Sequence, residues 1–259
     1  MALADVIIII SRGGGAFVSR WLHVVVGITW IGLLYYFNFV QVPAFAEMEA
    51  AARNNAVDKL ASRALWWFRW AAVATVITGI MILLFQTSGA DNKSQLFDMD
   101  YMKSASGMAI ATGILLALTM FVNVWGVIWR NQKIVIANAR NVQAGGEPDP
   151  NAAAAGRKAL LASRMNAIYS FTMLLFMVGT SHFFAAGKFK AFPSGSERGA
   201  YWAIALIIWL VLELNCLGVI GGTGQNLTNK IYESHKNALI AGGVLVVIYY
   251  LVFYVTLKA

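Results

Sequence analysis

The polarity pattern along the chain is one of long apolar runs separated by short polar ones. Six stretches, roughly 17–41, 65–86, 104–129, 166–186, 200–222 and 237–257, are mostly apolar over about 20 residues or more, enough to cross a hydrocarbon core as a helix. The pattern therefore predicts an all-α, polytopic membrane helix bundle. Glu47 to Ala64 is alanine-rich with interspersed charges, which predicts a helical hairpin or extension in solvent. Gly145-Gly146-Glu147-Pro148-Asp149-Pro150 is a strong helix breaker, so the third and fourth helices are expected to run past the membrane and meet at that turn. Residues 1–16 read as an interfacial N-terminal segment ending at Gly13–Gly15, and residues 17–259 as a single bundle. The apolar run Val6–Ile10 is too short for a signal-peptide core and lacks a basic leader, so no cleavable signal is expected.

Composition agrees with that class. The chain is 59% hydrophobic and 12% charged, and a soluble domain of 259 residues could hardly hide so much apolar surface. The net charge of +8 is explained by basic loops at a lipid surface, so nucleic acid is not implied. Of the 20 lysines and arginines, 12 flank loops one, three and five (Arg53, Lys59, Arg63, Arg69, Arg130, Lys133, Arg140, Arg157, Lys158, Arg164, Lys230 and Lys236). That bias places those loops in the cytoplasm and both termini outside. One cysteine, Cys216, excludes an internal disulfide and covalent haem c attachment through a CxxCH motif.

The first spanning run, Arg20 to Phe39, carries His23 with Gly27 one turn deeper. The fourth carries His182 with Gly179 one turn deeper, so each imidazole has a flat clearing beside it. Both histidines lie about 6–9 Å inside the outer edge at ~1.5 Å per residue. Such a pair suits the two axial ligands of a b-type haem, with Arg20, Lys188 and Lys190 placed for the propionates. A metal held by the same histidines, or two interfacial histidines bonded to backbone or water, are the other readings. Glu213, placed at mid-depth of the fifth run, needs a proton, a partner or a wet cavity, and Asn123 or Asn215 could be that partner. The Gly218–Asn226 run lacks the GK[ST] of a phosphate loop and is expected to end helix five. Trp66, Trp67, Trp70, Trp125 and Trp129 read as an aromatic belt.

RWLHVVVGITWIGLLYYF, LWWFRWAAVATVITG, FVNVWGVIWRNQKIVIANARNVQAGGEPDP and MLLFMVGTSHF follow one another over about residues 19–183. In that order they resemble landmarks of the membrane domain of the bacterial urate hydroxylase family, the urate oxidase N-terminal domain. The resemblance implies oxidation of urate or a similar small molecule, with electrons passed to a separate c-type cytochrome. It also implies roles for His23, Asn123, Asn131, Gln132, Lys133 and His182. The chain departs from the family pattern in loop one, which has no histidine between Val42 and Ala64. It departs again at Ala71, where an acid is expected, and at Arg164-Met165-Asn166, where a histidine is expected. A second class therefore stands beside the first: a non-catalytic subunit binding haem or lipid within a larger respiratory or oxygenase complex, with other membrane subunits or further copies as partners.

Overall fold

The computed structural model describes residues 12–88, 92–185 and 187–259, so most of the interfacial segment expected at 1–16 lies outside the described residues. Seven helices are present among the described residues: α1 (Gly13–Glu47), α2 (Ala50–Phe85), α3 (Met99–Lys103), α4 (Ala105–Gln143), α5 (Ala152–His182), α6 (Gly195–Cys216) and α7 (His235–Leu257). All but α3 are long and apolar enough to span a membrane, and the chain is an all-α polytopic bundle. A two-residue ladder, β1 (Thr87–Ser88) with β2 (Lys93–Ser94), closes the turn after α2.

Helix α5 is the core of the bundle. Its residues from Arg164 to Ser170 are buried in unbroken succession, so no side of the helix is left for lipid. Helices α4 and α7 pack on α5, α1 pairs with α2, and α6 leans on α7. The outer helices turn apolar side chains outward, among them Ile28, Ile77, Ile207, Val247 and Val255, and the last turns of α5 expose Val178 as well. A surface of that kind belongs in lipid.

Several boundaries differ from the sequence pattern, each for a local reason. Helix α1 already includes Gly13–Gly15, so this run is helical instead of ending a separate segment. Loop one shrinks to Met48 and Glu49 because its alanine-rich flanks extend α1 and α2. The same happens around the Gly145–Pro150 turn, where α4 and α5 run on to Gln143 and from Ala152, as the breaker predicts. Helix α6 is displaced toward the N-terminus of its predicted span. Ser194 and Glu197 form a reciprocal capping box at its start. At its end Gly218 sits at φ 78°, a left-handed position that stops the helix after Cys216.

Asp98 caps α3, accepting from the backbone of Asp100 (3.0 Å) and Tyr101 (3.1 Å), and takes the Ser88 hydroxyl at 2.5 Å. The Ser88 hydroxyl, with the Tyr101 amide next, holds this carboxyl below its usual range. Its contribution is thus complete above the ordinary carboxylate value and is lost as pH falls through the lowered one. Hydrogen-exchange protection in residues 98–103, corrected for the intrinsic exchange rate at each pH, is expected to fall on acidification across that window in the wild type and to be pH-insensitive there in Asp98→Asn.

Candidate functional site

Three single-turn π segments interrupt the long helices: Tyr36–Gln41 in α1, Val57–Ala61 in α2 and Asn123–Ile128 in α4. Pro43 explains the first, because it offers no N–H to the Phe39 carbonyl and its ring crowds the preceding turn. There Val42 N–H reaches back five residues to Phe37 O. The other two show the same five-residue bond, Ser62 to Val57 and Trp129 to Val124. Such insertions occur mostly where a helix must re-aim side chains at a site.

What they surround is a cavity of about 200 Å³ between α1, α2, α4 and α5, at the end of the bundle that carries loops one, three and five. Phe37 and Phe68 form an apolar wall, edge to face at 5.3 Å between ring centres. Gln41, Gln132 and Ser163 provide the polar groups in the lining. Asn38, fully buried beside them, donates its amide to Leu34 O (2.8 Å) and Ser163 Oγ (2.9 Å), which leaves Asn38 Oδ1 without a donor. Gln41 Oε1 is also buried without a donor. Ser163 Oγ accepts from Asn38, so its own hydroxyl proton is available to the cavity. The arrangement thus offers the Gln41 carbonyl as an acceptor and the Ser163 hydroxyl, held by Asn38, as a donor beside two aromatic rings. It suits a flat molecule that both donates and accepts hydrogen bonds.

The structure gives the two histidines different surroundings. Thr78 Oγ1 donates to Ala74 O at 2.7 Å, so at 3.1 Å it can only accept from His23 Nδ1–H, and the Nε2 lone pair of His23 stays available. His23 thereby faces α2, where a Cβ on Gly79 would come within 3.2 Å of its ring. His182 is exposed at the far end of α5. Helices α1 and α5 are tied instead nearer the opposite end, by Tyr35–Ser170 (2.8 Å) and Asn38–Ser163. The clearing expected beside Gly179 is filled by the chain itself: its Cβ position is 2.7 Å from the Phe184 ring, which stacks on Phe176 at 5.0 Å. Gly27 does face open space. The two expected clearings therefore differ: the one beside His23 is open and the one beside His182 is occupied by Phe184. Arg20, expected near propionates, donates to Gln86 at 2.7 Å. Lys190 pairs with Glu197.

The remaining candidates fall in three places. Asn123 donates to Asn166 Oδ1 (3.0 Å), and Asn166 donates to Met120 O (2.9 Å), a buried clasp between α4 and α5. Glu213 lies in the last turn of α6, not at its middle, beside Asn123, Tyr169 and Cys216. Asn215 serves loop five, donating to Ile220 O (3.1 Å) and Asn229 Oδ1 (3.3 Å). Asn131 turns back to Val127 O at 2.8 Å, and Lys133 hangs over Trp129. Of the residues singled out in the sequence, Gln132 alone lines the cavity. Gln41, Asn38 and Ser163 carried no motif, and Pro43, one turn after an asparagine in an apolar run, was the available signal.

No family model, curated protein or solved structure matches the chain, so the chemistry of these side chains carries the functional reading.

Proposed function

We propose that this multi-pass membrane protein binds a flat, hydrogen-bonding small molecule, urate or a similar heterocycle, in the cavity between α1, α2, α4 and α5. The observation that carries this is the buried, donor-free carbonyl oxygen of Gln41 in the lining of a cavity walled by Phe37 and Phe68. Leaving such a group unpaired costs about 1–3 kcal/mol, a cost that a ligand N–H would remove. The resemblance in sequence adds the class of reaction, oxidation of the bound molecule with electrons leaving to a separate c-type cytochrome.

Titrating the purified protein with urate while following tryptophan fluorescence tests this reading. Saturable binding is expected, and Gln41→Leu, which keeps the volume and removes the carbonyl, should weaken it by about fivefold to a hundredfold. Absence of saturation, or equal affinity in Gln41→Leu, would remove the cavity from consideration as the binding site. A second reading, a non-catalytic subunit that binds haem, draws on His23, whose Nε2 is available. Its mark is a dithionite-reduced spectrum with sharp α and β bands that disappear in His23→Ala.

A further inference from the structure

Arg69 is 8% exposed within a spanning helix, and among the described residues it has no salt bridge and no hydrogen bond. Its neighbours are indoles. The guanidinium carbon lies 3.2 Å from the ring centre of Trp129 and 5.6 Å from that of Trp125. Lys133 Nζ shares the Trp129 ring at 5.9 Å. Two cations therefore use one indole. No acid among the described residues pairs with it: Asp58, three turns earlier in α2, is committed to Arg140 and Lys59, and Glu233 to Arg157. Arg69 Nε and Trp125 Nε1 are both buried N–H groups with no acceptor.

A buried guanidinium in a membrane protein is paired with an anion or pays heavily for its desolvation. Cation–π contact offsets only part of that cost, and it leaves the buried Nε–H without an acceptor. The surroundings indicate where the anion comes from. Trp66, Trp67 and Trp70 continue the same aromatic strip, with Trp70 5.7 Å from Trp125, and they are 48%, 60% and 47% exposed. Indoles exposed in this way sit at the level of lipid headgroups, and basic recesses between spanning helices there hold anionic headgroups.

We propose that Arg69, Lys133, Trp125 and Trp129 form a binding site for the phosphate of an anionic phospholipid. The phosphodiester oxygens accept from the terminal nitrogens of Arg69, the Trp125 and Trp129 rings hold that guanidinium in place, Lys133 adds charge from the rim, and the acyl chains lie along the exposed tryptophans of α2. The site is separate from the cavity and does not depend on what that cavity binds.

The test uses the purified full-length chain in vesicles of phosphatidylcholine containing brominated phosphatidylglycerol or brominated phosphatidylcholine, with tryptophan quenching as the readout. Wild type should prefer the brominated phosphatidylglycerol. Lys133→Gln, an exposed change that leaves the fold intact, should reduce the preference about fivefold, and Arg69→Gln should abolish it. Equal quenching by the two lipids in wild type, or a preference retained in both variants, would overturn the proposal. Competition by inorganic phosphate that matches phosphatidylglycerol would assign the site to a free anion and overturn the lipid assignment.

Discussion

Gly107→Ala should fail to give a folded, monodisperse protein in detergent, whereas Gly27→Ala should behave as wild type. A Cβ at residue 107 would stand 1.9 Å from Tyr101 O and 2.6 Å from Met102 Cα, both backbone atoms that cannot swing aside. The segment is held on each side of the clash. Gly107 N–H bonds to Ser104 Oγ at 3.0 Å, and Tyr101 O already accepts from Ser104 N and Oγ. Relieving the overlap means unwinding the α3–α4 junction, for which a loss on the order of 4 kcal/mol or more is expected. At Gly27 the added methyl meets nothing within 4 Å. Size-exclusion profiles and thermal unfolding of the two variants side by side provide the measurement, and a well-folded Gly107→Ala would show that the junction is wound differently.

Glu233→Gln should release loop five, the connection from α6 to α7. Arg157 grips Glu233 through both terminal nitrogens, at 2.5 and 3.1 Å, and donates Nε to Thr223 O at 2.8 Å. Arg164, 3% exposed, donates to Tyr232 O at 2.7 Å. Two guanidiniums of α5 thus hold the loop, and Glu233 is paired with Arg157 and its charge also favours the Arg164 cation. Neutralising it leaves both cations uncompensated in a largely buried setting. About 2 kcal/mol of local stability should be lost, less than for a fully buried pair because Arg157 and Glu233 keep some access to water. The melting temperature should fall by about 4–8 °C, and trypsin should cut after Lys230 faster than in wild type. An unchanged cleavage rate would mean that the loop is held by Asn229 and its carbonyl contacts at Gly222 and Gly224 alone.

How far the sequence reached differs between the fold and the site. Spanning helices were legible because length and hydropathy are properties of a contiguous segment, and a bilayer accepts few other solutions. The helical extensions around loops one and three were legible for the same reason, through alanine content and a proline-glycine breaker. The histidine pair was a different kind of inference. Equal depth along two helices says nothing about which helices are neighbours, and α1 packs on α2 while α5 packs on α4 and α7. Glycine next to histidine was equally ambiguous: Gly27 opens to space, but Gly179 makes room for Phe184.

By itself, then, the sequence determined that this chain is a six-span helical membrane bundle, because each span is written locally in about 20 consecutive residues. Only the tertiary structure decided which polar groups meet. It placed Gln41 at a cavity and Asn38 behind Ser163 in its wall, fastened Asn123 to Asn166, and buried Arg69 between two indoles with no ion pair. The physical reason is that insertion into lipid depends on the summed polarity of a segment. A site depends on the rotation and partner of each helix, which are set by packing between segments distant in the chain.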